Sequence, residues 1–105
     1  MDNTECLKPT EELINEFLNL LDVQRALSKN TISSYQSQLR AYSRFLNLKN
    51  LNATIVASET INEYLVIKMN QGCKASSRFI TTIAIKKFYE YLLSTHAIKT
   101  NPANA

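Results

Sequence analysis

The chain has 105 residues, of which 45% are hydrophobic, and it contains only one glycine and two prolines. This length and composition predict a single domain with a buried core and give few of the turn signals that strands require. No apolar run approaches the roughly 18 residues that a membrane span needs. The acidic N-terminus also lacks the apolar segment of a signal peptide, so we expect a cytoplasmic protein.

The net charge of +3 is distributed unevenly along the chain. Residues 1–22 carry six acidic side chains and one basic side chain, whereas residues 23–105 carry eleven basic and three acidic ones. No Asp or Glu occurs from Val23 to Ser58. This imbalance indicates a polyanionic partner such as nucleic acid, although a basic face that is only solvated is the alternative.

A first helix is predicted over residues 11–25, after a flexible segment over residues 1–10. Thr10 is the expected N-cap, and the two glutamates that follow it favour the positive end of the helix dipole. The apolar positions that would face a bundle are Leu13, Ile14, Phe17, Leu18, Leu20 and Leu21. The acidic residues lie mainly outside this stripe, so we expect this helix to face away from a polyanion.

The second helix is predicted over residues 29–47, with Ser28 as its N-cap. Apolar residues at steps of three and four define its buried face, namely Ile32, Tyr35, Leu39, Tyr42 and Leu46. The opposite face is Lys29, Asn30, Ser33, Ser34, Gln36, Ser37, Arg40 and Arg44. A long polar face with cations and no acid indicates contact with something negative.

The third helix is predicted over residues 58–70, with Ser58 as its cap and Gly72 as the left-handed residue that ends it. We expect it to bury Ile61, Leu65 and Met69. The preceding loop is expected to tuck apolar side chains under the bundle, namely Leu48, Leu51, Ile55 and Val56.

The fourth helix is predicted to end near Ser94, with Ser76 or Ser77 as its cap. Its predicted buried stripe is Ile80, Ile83, Ala84, Phe88, Tyr91 and Leu92. Hydroxyls and cations surround its start and one flank, namely Lys74, Arg78, Thr81, Thr82, Lys86 and Lys87. Four helices with short connections predict an all-α bundle.

The residues that carry catalysis or bind metals are sparse. Cys6 and Cys73 are predicted to be free structural thiols, and the single histidine, His96, excludes a multi-histidine metal site. Most of the five tyrosines stand at or beside apolar helix positions, where a core aromatic ring with a solvated hydroxyl is expected. We therefore expect no catalytic residue, cofactor or metal in this chain.

Three segments resemble the N-terminal core-binding domain of the tyrosine recombinases, the phage integrase family with its Xer-like members. Residues 27–39 resemble the L-S-x-N-T-x-x-x-Y-x-x-x-L segment, and residues 84–92 resemble the s-A-l-r-x-F-Y-x-Y-L helix. Residues 101–103 resemble the N-P-A that leads out of the domain. The three segments follow the family's order and spacing, and the resemblance covers about residues 11–105.

The resemblance implies a SAM-like orthogonal bundle of four helices over residues 11–98. Such a domain forms half of a clamp around double-stranded DNA, with its second and fourth helices across the major groove. Other recombinase protomers on the same DNA are the implied protein partners, whereas the isolated domain is expected to be monomeric. The family's catalytic residues lie in a following domain, to which residues 99–105 would begin the linker.

The predicted DNA contacts combine the resemblance with the charge pattern. They are Ser28, Lys29, Asn30, Thr31, Ser34, Arg40, Arg44, Lys74, Ser77, Arg78, Thr81 and Lys86. Short hydroxyl and amide side chains suit phosphates, whereas Gln36, Gln38 and the two helix-two arginines have the length to reach base edges. Family members often carry an arginine near Ile80 and Thr81, and here Arg78 or Lys74 would replace it.

Two other functions remain open at this point. A helical DNA-binding regulator of another kind would need a tight helix-turn-helix, whereas about ten residues separate the second and third predicted helices. A protein-interaction bundle with a merely solvated basic face would show no salt-dependent DNA binding.

Overall fold

The computed structural model of the protein describes residues 8–24, 27–72 and 74–104. Four α-helices run through these residues: α1 (Thr10–Gln24), α2 (Lys29–Leu48), α3 (Ser58–Asn70) and α4 (Ala75–Ser94). Short 3₁₀ turns at Ala53–Ile55 and Pro102–Asn104 lie between α2 and α3 and after α4. No strand occurs in the described ranges, and the predicted all-α four-helix bundle is confirmed. The predictions for Cys6, Cys73 and Arg25 fall outside the described residues.

The start of α2 confirms the predicted cap. Ser28 has extended backbone angles, and its hydroxyl accepts a hydrogen bond from the backbone N–H of Thr31 at 3.2 Å. This bond satisfies one of the N–H groups that the first helical turn leaves without an intrahelical partner. The predicted end of α3 is also confirmed, since Gly72 has a φ of 80° just after the C-cap.

The other predicted caps are wrong. Ser58 is already the first residue of α3, and Ser76 and Ser77 lie inside the first turn of α4. The N-cap positions are Ala57 and Lys74, and neither makes a side-chain capping hydrogen bond. A serine caps a helix only from the residue before it, where the backbone is extended, so a shift of one or two residues removes the role.

Thr10 is the first residue of α1, and its side chain links this helix to the segment between α2 and α3. Its hydroxyl accepts a hydrogen bond from the backbone N–H of Ala53 at 3.0 Å, and both residues are buried. A buried N–H needs an acceptor, and the Thr10 hydroxyl supplies it here. Nearby, the side-chain amide of Asn52 donates to the Lys8 carbonyl at 2.7 Å. Residues 8–10, which the sequence places in a flexible segment, are therefore held to the bundle.

The core combines apolar residues from all four helices. Its buried members on the helices are Leu13, Ile14, Phe17, Leu18, Tyr35, Leu39, Tyr42, Leu46, Ile61, Tyr64, Ala84, Ile85, Phe88, Tyr89 and Leu92. The prediction that Met69, Leu48 and Ile55 pack inward is wrong, because these side chains are 51%, 87% and 59% exposed. In the segment between α2 and α3, the buried residue is instead Ala53, which lies in the 3₁₀ turn Ala53–Ile55.

The packed unit continues past α4. Ile98 and Ala103 join the core, and Pro102 and Ala103 line a small cavity with Ile61 of α3 and Ile85 of α4. The last 3₁₀ turn therefore packs against α3 and α4. Residues 99–103, which the sequence assigns to a linker, cover part of the bundle; that this segment leads to a further domain stays a prediction.

Tyr42 of α2 and Tyr89 of α4 meet at the centre of the fold. Their rings pack edge to face with centroids 6.3 Å apart, and their hydroxyl oxygens lie 2.9 Å apart. Both side chains are fully buried, so the hydroxyls satisfy each other and the expectation of a solvated hydroxyl is wrong for this pair. Burial raises the pKa of both phenols above the ordinary value, because the charged form is poorly solvated there.

We expect a double-mutant cycle to show strong coupling between these two tyrosines. Either Tyr42→Phe or Tyr89→Phe alone leaves one buried hydroxyl without a partner, which costs about 1–3 kcal/mol. The double variant removes both polar groups and is expected to cost less than the sum of the single variants. Urea denaturation of the four proteins measures this difference. Additive losses within about 0.5 kcal/mol would contradict the buried hydrogen bond.

Alkaline pH is expected to destabilise the fold through the same pair. The folded-state pKa of each phenol is raised, so as the pH rises the unfolded chain releases these protons first, near pH 10. The stabilisation that these raised pKa values give the folded state is therefore fully present below about pH 9, and it is lost as the pH rises above about 10. Urea midpoints measured between about pH 8 and 11 test this. The urea midpoint of the Y42F/Y89F double variant should fall less steeply with pH than that of the unaltered chain. Identical slopes would contradict the raised pKa values of these two phenols as the cause.

Candidate nucleic-acid interface

Two side-chain contacts between α2 and α4 fix the relative direction of these helices. Gln38 meets Thr81, with the Thr81 hydroxyl donating to Oε1 of Gln38 at 2.6 Å. One turn further along α2, Tyr42 meets Tyr89. Because the contacting residues advance in the same order along both helices, the N-terminal halves of α2 and α4 lie at the same end of their contact. The positive ends of two helix dipoles are therefore brought together.

One polar face of α2 borders α4. Thr31, Ser34 and Gln38 follow steps of three and four, which places them on the same side of the helix. All three are half-buried, and Gln38 makes the direct contact with α4. This face therefore lies beside the start of α4. The sequence predicts Thr31 and Ser34 as DNA contacts and gives Gln38 the length to reach base edges, and the structure brings all three to this face.

The first turns of α4 supply the matching positions. Lys74 and Ser77 are exposed, and Arg78 is half-buried. Thr81 lies one turn after Ser77, whose carbonyl oxygen is 2.9 Å from the Thr81 hydroxyl. We call the surface formed by both helices the crossing surface, and its members are Thr31, Ser34, Gln38, Lys74, Ser77 and Arg78.

Arg78 has unused hydrogen-bonding capacity. Its Nε atom is buried and has no hydrogen-bond partner, and no carboxylate lies within ion-pair distance of this residue among the described residues. A buried donor without an acceptor is unfavourable, and a guanidinium group is the side chain best suited to a phosphate or a guanine edge. The site therefore has a cation that an anionic ligand would satisfy.

Thr81, which the sequence predicts as a DNA contact, lies inside the contact between α2 and α4 and is not a member of the crossing surface. This side chain is only 2% exposed, and its hydroxyl is directed toward Gln38 inside the helix contact. The threonine was selected because it follows the polar residues at the start of α4, but its spacing from Ser77 turns it toward α2.

Arg40 and Arg44 do not belong to the crossing surface. They line a groove between α2 and α1, together with Glu11, Ile14 and Asn15. Glu11 of the acidic helix α1 therefore lies beside two arginines of the basic face of α2. Its carboxylate lowers the local positive potential without forming an ion pair to either arginine in the described part of the chain.

The remaining predicted contacts lie at the margins. Ser28 and Lys29 line a hollow at the α1–α2 junction beside Asp22, and Asn30 is exposed one residue further on. Lys86 borders the cavity between α3, α4 and the last 3₁₀ turn. These residues flank the crossing surface on different sides.

Lys49 shows why a count of basic residues overstates the binding surface. It belongs to the acid-free stretch of the sequence, but its ammonium lies 2.7 Å from a carboxylate oxygen of Glu63 in α3. The same group lies 5.4 Å from the centre of the Phe45 ring. This lysine therefore connects α2 to α3 and contributes little positive potential to a ligand.

No group of three or more His, Cys, Asp or Glu that could hold a metal ion occurs in residues 8–24, 27–72 and 74–104. No helix described there is long and apolar enough to cross a membrane.

Comparison with known families identifies the domain. Residues 14–96 match the model of the phage integrase N-terminal SAM-like domain. This match covers most of the chain, including α2, α3, α4 and all but the first four residues of α1, so the chain belongs to that family. No solved structure is significantly similar to the chain.

Named relatives agree with this membership. The chain is 32% identical to the tyrosine recombinase XerD of Shewanella oneidensis over 92 residues, which cover 88% of this chain and 31% of that protein. It is 31% identical to the tyrosine recombinase XerC of Herpetosiphon aurantiacus, over 88% of this chain and 30% of that protein. It is also 26% identical to the tyrosine recombinase XerD of Proteus mirabilis, over 97% and 32% of the two chains. The chain thus spans about a third of the length of these relatives.

The capping role of Ser28 gives a testable expectation. Ser28→Ala removes the acceptor for the Thr31 N–H and should lower the free energy of unfolding by about 1 kcal/mol. Ser37→Ala is the matched control, because Ser37 is exposed on the same helix and is not at its start. It should change stability by less than about 0.5 kcal/mol. An equal loss in the free energy of unfolding of the two variants, measured by urea denaturation, would show that the Ser28 cap does not stabilise the helix.

Proposed function

We propose that this chain binds double-stranded DNA through the crossing surface, as the N-terminal part of a site-specific tyrosine recombinase. The observation that carries the proposal is the side-by-side placement of the first halves of α2 and α4, through the contact of Gln38 with Thr81. Family membership supports the ligand class, because all the relatives described above are named tyrosine recombinases.

The electrostatics of the crossing surface suit a DNA backbone. No Asp or Glu occurs in α2 or in α4 before Glu90. The N-cap position of α4 lacks a side-chain capping bond, so its first-turn N–H groups are open to an external acceptor. Lys74 and Arg78 add two cations at the same end. Backbone N–H groups, the helix dipole and these cations all favour phosphate there.

The residues of this surface suit different parts of the duplex. Thr31, Ser34 and Ser77 have short hydroxyl side chains that position a helix on phosphate and sugar atoms. Lys74 and Arg78 neutralise phosphate charge, and Arg78 is also long enough for a guanine edge. Ser28, Lys29 and Asn30 extend the contact at the start of α2. Arg40, Arg44 and Lys86 are secondary contacts in this proposal, since they border grooves on other sides.

The wider function follows from the relatives. Breaking and rejoining of DNA strands would belong to the part of a longer recombinase that the match leaves uncovered, with this domain forming half of a clamp on the half-site. The domain alone would act as a non-catalytic monomer, and its protein partners would be other recombinase protomers on the same DNA. A DNA ligand also implies the cytoplasmic location that the sequence predicts.

The proposal is tested by removing the two cations of the crossing surface. Lys74→Ala with Arg78→Ala should weaken binding to a mixed-sequence duplex at low salt by about ten-fold or more. It should also reduce the slope of log affinity against log salt by about 1–2, because each lost phosphate contact accounts for about 0.9. Fluorescence anisotropy at several salt concentrations measures both quantities.

Two variants that each remove one positive charge, Lys99→Ala and Arg78→Ala, show whether the loss of binding is specific to the crossing surface. Lys99→Ala removes one exposed positive charge beyond the C-terminal end of α4. Since α4 has 20 residues, that end lies about 30 Å from its start. Arg78→Ala alone should weaken binding more than Lys99→Ala. Equal losses would show that only overall charge matters, and no binding by the unaltered chain at low salt would reject DNA as the ligand.

A further inference from the structure

We infer that Gln38 reads a base in the major groove, and that Thr81 orients its amide so that the residue selects guanine. This inference rests on the proposed DNA-binding function and adds a specificity-determining pair to it. Thr81 is the positioning residue, and Gln38 is the residue that touches the base.

The geometry fixes which end of the Gln38 amide faces the protein. The Thr81 oxygen lies 2.6 Å from Oε1 of Gln38, a distance typical of an O–H···O bond and shorter than the usual N–H···O range. The threonine hydroxyl is therefore the donor and the amide oxygen is the acceptor. The Ser77 carbonyl oxygen, 2.9 Å from the same hydroxyl, is a second acceptor for its single proton, and the contact with Gln38 is the shorter of the two. Because Thr81 is buried, this contact is shielded from water and favours the orientation in which Oε1 faces the protein.

The other end of the amide is left free to bind a ligand. Gln38 is half-buried on the face of α2 that includes Thr31 and Ser34, so its stem is packed. With Oε1 occupied by Thr81, the amide presents the two hydrogens of its –NH₂ group. A glutamine held in this way is a donor, whereas a free glutamine offers a donor and an acceptor together.

A donor-only group distinguishes the four bases in the major groove. Guanine presents two adjacent acceptors, N7 and O6, which match the two amide hydrogens. Adenine offers one acceptor beside an amino group that would oppose the amide, and cytosine offers only an amino donor. Thymine has a single acceptor next to a methyl group. Guanine is therefore the base that this arrangement favours.

Arg78 is the rival reader on the same surface, because an arginine also binds the N7 and O6 of guanine. Variants of the two residues distinguish a contact that strengthens binding to every sequence from a contact that selects one base. Removal of Arg78 takes away a charge and should weaken binding to every sequence, whereas removal of Gln38 takes away a neutral side chain and should act on one base position.

The experiment is selection of bound duplexes from a pool with randomised positions, using the full 105-residue chain at low salt. The unaltered chain should enrich guanine at one position by about five-fold or more over the other bases. Gln38→Ala should abolish that preference, and the control Ser37→Ala should keep it. Thr81→Val, which keeps the side-chain shape but removes the hydroxyl, should admit adenine at the same position.

The Gln38→Glu variant shows whether a lost guanine preference comes from the side-chain chemistry or from loss of folding. A glutamate still accepts the hydrogen bond from Thr81, but it presents an acceptor to the duplex and should move the preference from guanine to cytosine. Circular dichroism melting curves establish that each variant is folded before its selection is read.

The outcomes separate the two proposals. If the unaltered chain binds no duplex at low salt, the DNA-binding function fails together with this inference. If it binds with salt dependence but no base position depends on Gln38, the inference fails and the function stands. A Gln38-dependent preference for adenine would overturn the donor-only orientation set by Thr81.

Discussion

The contact between α2 and α4 determines the rest of this structure. Its buried part is the pair of tyrosine hydroxyls, Tyr42 with Tyr89, and its outer part is the bond between Gln38 and Thr81. Aromatic rings from the other helices pack around it: Phe17 of α1 against Phe88, and Tyr64 of α3 against Tyr42. Two directional hydrogen bonds at different depths fix both the register and the relative direction of the helices, which apolar packing alone would leave less specific.

The same contact decides which surface is available for function. With the starts of α2 and α4 at one end, hydroxyls, an amide and cations from both helices share a face without any carboxylate of their own. The basic side chains are otherwise divided among several sides of the bundle. Arg40 and Arg44 lie near Glu11, and Lys49 is paired with Glu63. The proposed binding surface is thus smaller than the basic composition suggests.

Much of the fold was predictable because helices carry their own local signals. Apolar residues at steps of three and four gave the buried faces of α1 and α2, the Ser28 cap gave one helix start, and Gly72 gave one helix end. The caps predicted at Ser58, Ser76 and Ser77 were wrong because α3 and α4 begin one or more residues earlier, after Ala57 and Lys74, which make no side-chain capping bond. Thr10 was misassigned for a different reason: its hydroxyl satisfies an N–H 43 residues away, and no local pattern records such a partner.

The candidate site was only partly predictable for the same reason. Sequence patterns gave the polar faces of both helices, but the phase of α4 depends on its contact with α2. That contact turns Thr81 inward, where it is buried against Gln38, although the sequence groups it with the exposed polar residues at the start of α4. The position of Arg40 and Arg44 in a groove beside α1 likewise depends on where α1 packs. Tertiary packing, rather than propensity, made these choices.

The most direct test of the account is an NMR amide titration of the chain with a short mixed-sequence duplex at low and moderate salt. The account predicts shift changes concentrated at residues 28–38 and 74–78, with smaller changes near Arg40 and Arg44, and all of them fading as salt increases. Changes concentrated on the acidic helix α1, or none at low salt, would contradict a DNA-binding surface at the crossing of α2 and α4.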